Sequence, residues 1–123
     1  MSNQKYILVI DDDPRNIFAI TAVLKSRGYK VIAASQMAEA FTLLDEQAVG
    51  IILMDMMMPD MDGYEAIPLL KKDPRYQSIP VISVTAQAMP GDKEKSMAAG
   101  ADGYVSKPVD IDLLTNIIHE HMN

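Results

Sequence analysis

Short apolar runs alternate along the chain with longer stretches in which apolar residues recur every three or four positions. The runs are rich in Val and Ile, which favours β-strands over helices. They lie at Tyr6–Ile10, Lys30–Ala33, Gly50–Met54, Pro80–Val84 and Gly103–Val105. The runs around Ile7, Ile51 and Val81 are almost continuously apolar, as expected of parallel strands that are covered on both faces. The pattern therefore predicts five strands in a largely buried sheet.

Helical spacing fills the intervals between these strands. The predicted helices run from Pro14 to the stop signal Gly28, from the cap Ser35 onward, from Gly63 to Lys72, from Pro90 to Ala99, and from Asp110 to His121. The second is expected to bury Ala38, Phe41, Leu43 and Leu44, and the last to bury Leu113, Leu114, Ile117 and Ile118. Pro68 falls within the third helix and removes a backbone hydrogen bond, so that helix is expected to begin late or to kink.

Strand and helix alternate without a repeat, a linker or a break in composition. This order predicts one α/β domain over residues 1–123, built as a three-layer α/β/α sandwich around a parallel sheet. In such sheets, ligands bind at the carboxyl ends of the strands. The residues that follow the predicted strands are therefore the first candidates for a functional site.

Composition and charge exclude several kinds of site and partner. The chain has no cysteine, which excludes disulfides, zinc–thiolate sites and thiol catalysis. With 11 basic and 17 acidic residues, its formal net charge is −6, so direct binding to nucleic acid or to anionic lipid is not expected. No apolar run approaches the roughly 20 residues that a membrane span needs. The N-terminus lacks a signal-peptide pattern, so a cytoplasmic location is expected.

Polar side chains follow four of the predicted strands. Asp11–Asp13 follow the first, Asp55 the third, Thr85 the fourth and Lys107 the fifth. Clustered carboxylates repel one another unless a cation lies between them, and an all-oxygen ligand set selects Mg²⁺. Lys107 and Thr85 would then contact phosphate oxygens held beside the ion. Asp55 is the candidate nucleophile, because it is the lone carboxylate at the end of its strand.

The segments that carry these residues resemble a known family. Leu8–Pro14, Leu53–Gly63, Val84–Ala86 and Ala98–Pro108 look like the motifs of the response-regulator receiver domain of two-component signalling. The resemblance extends from Tyr6 to about Met122. It implies a CheY-like, flavodoxin-like fold with a five-stranded parallel sheet in the order 2-1-3-4-5.

The resemblance also implies a role for each site residue. It makes Asp55 the phosphoacceptor, Asp11 and Asp12 the acidic pair that binds Mg²⁺ together with Asp55 and the backbone carbonyl of Met57, Thr85 the switch hydroxyl, Tyr104 the switch aromatic, and Lys107 the partner of the phosphoryl group. The Lys107–Pro108 peptide bond would be cis. Asp13 receives no role and is expected to be a surface carboxylate.

The function implied by the resemblance is that of a phosphorylation-activated signalling switch. A sensor histidine kinase or a histidine phosphotransfer protein would donate the phosphoryl group from a phosphohistidine. A downstream effector would bind the face formed by the fourth helix, the fifth strand and the fifth helix. The chain would be no enzyme beyond its own phosphorylation and dephosphorylation. It would be either a stand-alone regulator or the receiver of a hybrid sensor kinase.

Three other functions fit the residues less well. Phosphohydrolases of the haloacid-dehalogenase type also use a strand-end aspartate with Mg²⁺. Their pattern has a second aspartate two residues after the first, and this chain has Met57 at that position. A flavodoxin-type binder would need a Ser, Thr and Gly-rich phosphate loop where this chain has three aspartates. A receiver that has lost phosphorylation is disfavoured because every catalytic position is filled.

The resemblance further suggests which residues set the lifetime of the phosphorylated form. Met57 and Gln87 would flank the path of the attacking water. The thioether of Met57 excludes water and cannot act as a base. A phosphorylated form that lasts longer than in a fast chemotaxis-type switch is therefore expected.

Overall fold

A computed structural model describes residues 5–86 and 90–122 of the chain. In this part, five strands alternate with five helices. In chain order they are β1 (Tyr6–Ile10), α1 (Pro14–Ser26), β2 (Lys30–Ala34), α2 (Met37–Glu46), β3 (Val49–Asp55), α3 (Gly63–Lys72), β4 (Val81–Thr85), α4 (Asp92–Ala99), β5 (Gly103–Ser106) and α5 (Ile111–Met122). The strands pair in parallel in the order β2-β1-β3-β4-β5. The predicted sheet order is confirmed.

The sheet separates two apolar cores. Successive residues of β1 point to opposite faces, so that Leu8 packs into the core beneath α2 and α3 while Ile7 packs into the core beneath α1 and α5. Ile52 and Ile51 of β3 divide between the same two cores. These side chains are fully buried, which explains why the strands read as nearly continuous apolar runs. The three-layer prediction is confirmed.

Each of two predicted buried helix faces includes one residue that is exposed, so the prediction for that residue is wrong. In α2, Ala38 is exposed, and the neighbouring Met37 and Ala40 are buried instead. In α5, Leu113 is 48% exposed, while Leu114 and Ile118 form the buried stripe. Apolar residues that lie side by side on a helix cannot all face the core, and the packing partners decide which of them do.

The start of α2 also differs from the prediction. Ser35 is not the cap, because the helix begins at Met37 after Gln36, whose side chain makes no capping hydrogen bond. The backbone N–H of Ser35 instead donates to Glu39 Oε1 over 2.9 Å. The α4 helix starts at Asp92 rather than Pro90, because Gly91 before it adopts a left-handed backbone with φ of 90°.

Pro68 lies well inside α3, so of the two alternatives expected for this helix, a late start or a kink, the late start is wrong. Its start is set by Asp62, whose side chain accepts the backbone N–H of Glu65 over 2.9 Å. Gly63 opens the helix against Met56, and a side chain at Gly63 would overlap the Met56 sulfur. This close approach places the beginning of α3 next to the end of β3.

None of the helices in the described ranges is long and apolar enough to cross a membrane.

Candidate functional site

The predicted site residues converge at the carboxyl edge of the sheet. Asp11 follows β1, Asp55 ends β3 and Lys107 follows β5. Lys107 Nζ donates to Asp11 Oδ2 over 3.0 Å and lies 3.4 Å from Asp55 Oδ2. One ammonium group therefore bridges two carboxylates that belong to different strands. The Lys107–Pro108 peptide bond is cis.

Asp12 adds a third carboxylate to this pair. Asp11, Asp12 and Asp55 each place an oxygen within 4.8 Å of those of the other two. Asp11 is 3% exposed and Asp55 8%, whereas Asp12 is exposed, so the cluster opens to solvent on the Asp12 side. Three carboxylates with one ammonium leave two negative charges uncompensated. This charge and the all-oxygen donors fit one Mg²⁺ ion.

Backbone N–H groups hold the two buried carboxylates in place. Asp11 Oδ1 accepts the N–H of Asp13 over 2.8 Å, and Asp55 Oδ1 accepts the N–H of Met57 over 3.0 Å. The second oxygen of each carboxylate faces Lys107. Each side chain is thus anchored through one oxygen and presents the other to the centre of the site.

Burial and the neighbouring charges both act on the pKa values of Asp55 and Lys107. Burial raises the pKa of Asp55, and the nearby charge of Asp11 raises it further, while the Met57 N–H and Lys107 oppose the shift. Burial alone would lower the pKa of Lys107, but its hydrogen bond to Asp11 and the charges of both carboxylates raise it overall. Lys107 is therefore protonated at neutral pH and supplies a permanent positive charge.

Thr85 and Tyr104 lie on the neighbouring strands β4 and β5. Thr85 ends β4, is buried, and its carbonyl accepts the backbone N–H of Lys107 over 2.7 Å. Tyr104 is partly buried. Burial raises the pKa of its phenol, and the acidic residues Asp92 and Glu94 of α4 add to the shift. Thr85 thus adjoins Lys107, while Tyr104 lies near α4.

Met57 and Asp13 each follow a carboxylate of the cluster by two positions. The Met57 side chain is 61% exposed, so it does not pack into the core. Asp13, expected as a surface carboxylate, caps α1 and accepts the backbone N–H of Arg15 over 2.9 Å. Gln87, the other residue expected to influence the phosphorylated lifetime, lies outside the described residues.

Two residues near the site were missed by the sequence reasoning. Asn16 Nδ2 lies 3.5 Å from Asp11 Oδ2, one helical turn beyond the aspartates. Its position on the first turn of α1 is a signal that could have identified it. Asp60 contacts the start of α2 through its carboxylate. No local pattern indicates this contact, because the partners lie more than twenty residues apart.

Comparisons with known proteins agree with this geometry. The chain matches the response regulator receiver domain family over residues 7–119. It is 34% identical to Protein PilH of Pseudomonas aeruginosa over 92% of this chain and 93% of that protein. It is 38% identical to the signal transduction histidine-protein kinase BarA of Escherichia coli over 91% of this chain and 12% of that protein. It spans about half or less of the length of the first curated relatives that it matches.

A solved structure with a metal in its cleft is also similar. It is the receiver domain of the sensor histidine kinase PA1611 from Pseudomonas aeruginosa, with a magnesium ion coordinated in the active site cleft. Its TM-score is 0.87 at 32% identity, and the match covers 97% of this chain and 98% of that one.

Proposed function

The chain belongs to the response regulator receiver domain family of two-component signalling, and from this premise we propose that it is phosphorylated on Asp55. The observation that carries the assignment is the pairing of Asp55 with Lys107 beside two further carboxylates. Asp55 is the carboxylate that ends a central strand, and it is buried enough to react away from bulk water. In this proposal the chain catalyses only its own phosphorylation and dephosphorylation.

The acidic cluster would hold the magnesium ion. Asp11, Asp12 and Asp55 would provide carboxylate oxygens, and the backbone carbonyl of Met57 would complete the protein ligands. When bound, the ion supplies positive charge that stabilises the oxygens of a transferring phosphoryl group. The all-oxygen donor set and the two uncompensated negative charges support this assignment.

The chain's own residues would carry out the transfer. A carboxylate oxygen of Asp55 attacks phosphorus, a P–O bond forms as the P–N bond of the phosphohistidine breaks, and the imidazole leaves with the electron pair. Lys107 keeps its proton and pairs with a phosphoryl oxygen. The Thr85 hydroxyl donates a hydrogen bond to another. The product is an acyl phosphate on Asp55.

We infer that the donor is a histidine kinase or a histidine phosphotransfer protein. The segment of BarA that matches this chain belongs to a protein named as a signal transduction histidine-protein kinase, which supports this class of donor. The exposed position of Asp12 indicates the side from which a phosphohistidine would approach the cluster.

Incubation with acetyl phosphate tests the proposed function without knowledge of the donor. We expect intact-mass spectrometry to show one added phosphoryl group when Mg²⁺ is present. Chelation of the metal with EDTA is expected to prevent the addition, because the oxygens of the phosphoryl group then lack their counter-charge. A chain that gains no phosphoryl group, or gains it equally in EDTA, would contradict the proposal.

The effector surface is proposed to be the face formed by α4, β5 and α5. Ser83, two residues before Thr85 on β4, has its hydroxyl 3.3 Å from that of Ser96 in α4, and both residues are fully buried. A displacement at Thr85 would therefore reach α4 through β4. Phosphorylation changes this face only to the extent that the phosphoryl group favours one packing over another.

Beryllofluoride, a mimic of the phosphoryl group, tests this surface. We expect it to shift the amide signals of α4 and of Tyr104 more than that of Phe41 in α2, because Tyr104 lies near α4 and the strand that Thr85 ends contacts α4 through Ser83 and Ser96. The measurement is a pair of amide NMR spectra recorded with and without the mimic. Shifts confined to the neighbourhood of Asp55 would contradict an output through this face.

Met57→Asn tests the proposal that Met57 prolongs the phosphorylated state. The Met57 side chain is exposed and follows Asp55 by two residues, so it is free to shield the phosphoryl group. An amide at this position can orient a water molecule that the thioether excludes. We expect phosphoryl loss to be several-fold faster in the variant when it is followed by mass spectrometry over time. A rate that is unchanged or lower would refute the idea.

A further inference from the structure

The loop between β3 and α3, residues 56–62, is joined to a distant helix by Asp60. Asp60 Oδ1 accepts the backbone N–H of Met37 over 3.0 Å, and Oδ2 accepts that of Ala38 over 3.1 Å. Both carboxylate oxygens are therefore used at the start of α2. The same loop carries Met57, whose carbonyl belongs to the proposed metal site.

The Asp60 carboxylate accepts hydrogen bonds from N–H groups at the start of α2. The first N–H groups of a helix have no partner within the helix, and the Gln36 side chain provides none here. A carboxylate at this end also interacts favourably with the helix dipole. The hydrogen bonds from Met37 and Ala38 accordingly lower the pKa of Asp60, so it is ionised at neutral pH. Asp60 acts as a cap that is supplied from another part of the chain.

Other contacts hold the loop at Met56, Met57 and Met58. Met56 and Met58 are buried in the core, and the Met56 carbonyl accepts the backbone N–H of Gly63 over 2.9 Å. The Met57 side chain, between these two buried residues, is exposed, and its backbone N–H donates to Asp55 Oδ1 over 3.0 Å. Asp60 extends the anchoring of the loop from the core to α2.

We propose that Asp60 is a positioning residue for the magnesium site, because its hydrogen bonds with Met37 and Ala38 hold the loop so that the Met57 carbonyl is directed to the ion. The inference rests on the proposed function, in which Met57 supplies a backbone ligand. It assigns Asp60 no contact with the ion or with the phosphoryl group. Groups that hydrogen-bond a metal ligand directly change metal affinity by about 10- to 100-fold, and Asp60, which would act through the backbone of the loop, is expected at the low end of this range.

A consequence is that the metal site and the start of α2 are coupled. If the hydrogen bonds of Asp60 with Met37 and Ala38 favour the loop conformation that binds Mg²⁺, then bound Mg²⁺ must stabilise these hydrogen bonds by the same free energy. The amide signals of Met37 and Ala38 should therefore respond to Mg²⁺, although neither residue is a ligand. A cap with a purely structural role would not show this response.

Titration of the full chain with Mg²⁺ alone tests the inference. Asp60→Ala removes both acceptor oxygens and should raise the Mg²⁺ dissociation constant about tenfold, the low end for residues that orient a ligand. Asp60→Asn keeps one acceptor oxygen and should give a smaller increase. Isothermal titration calorimetry gives the dissociation constants. NMR should show that the response of Met37 and Ala38 to Mg²⁺ is lost in Asp60→Ala.

Asp110→Ala is the matched control. Asp110 Oδ1 accepts the backbone N–H groups of Asp112 and Leu113 at the start of α5, so this variant also loses a carboxylate that caps a helix. Its Mg²⁺ affinity should equal that of the wild type. Wild-type affinity in both Asp60 variants, or an equal loss in Asp110→Ala, would overturn the inference. If Asp60→Ala does not fold, the Mg²⁺ dissociation constant of Asp60→Asn tests the inference instead. Failure of the wild type to bind Mg²⁺ would instead refute the proposed function.

Discussion

Asp55→Asn is expected to abolish phosphorylation by acetyl phosphate. The amide has almost the shape of the carboxylate but no negative charge with which to attack phosphorus. The carbonyl oxygen of the new side chain would still accept the Met57 N–H, so the loop after β3 should be preserved. Intact-mass spectrometry in the presence of Mg²⁺ should show only unmodified chain under conditions that phosphorylate the wild type.

Asp13→Asn is the control for this loss. Asp13 lies at the same edge of the sheet, but its carboxylate caps α1 and pairs with Arg15. Its backbone N–H, which holds Asp11, is unaffected by the change. This variant should accept a phosphoryl group as the wild type does. A phosphoryl group retained by the Asp55 variant, on any residue, would show that the phosphoacceptor is assigned wrongly.

Lys107→Met is expected to destabilise the fold when no metal is present. The Lys107 side chain is only 16% exposed and is paired with two buried carboxylates. Its removal leaves these charges without a partner in a region of low dielectric constant. Breaking a buried pair in this way lowers the free energy of unfolding by about 3 kcal/mol. Urea unfolding in EDTA measures the change.

A second variant shows whether repulsion between carboxylates causes this loss. Adding Asp11→Asn to Lys107→Met removes one of the unpaired charges, so the double variant should regain part of the lost free energy. Mg²⁺ should also stabilise Lys107→Met more than it stabilises the wild type, because it replaces the missing positive charge. Equal stability of Lys107→Met and the wild type in EDTA would contradict the proposed electrostatic role.

The central strands β1, β3 and β4 could be predicted from the sequence because they are buried on both faces of the sheet. A strand such as β3 must then be apolar at successive positions, and this signal is local. The site residues Asp11 and Asp55 could be predicted for a related reason. They follow such runs directly, and parallel strands bring their carboxyl ends to one edge.

The buried faces of the helices were harder to predict, because helical periodicity alone does not show which elements pack against a helix. Ala38 and Leu113 belong to plausible apolar stripes, yet both are exposed. The cap of α2 was missed for the same reason. A local rule selects Ser35, but the N–H groups at this end bond to Asp60, which arrives from the loop after β3.

By itself the sequence therefore determined the alternation of strands and helices and the chemical character of the site, since both depend on residue type and local spacing. Tertiary structure decided which of these groups bond to one another. Lys107 bonds to Asp11 and lies beside Asp55 because β5, β1 and β3 end at one edge of the same sheet. Asp60 reaches α2 because the loop after β3 lies next to the start of that helix. Such contacts join residues that are far apart in the chain, so no local pattern in the sequence indicates them.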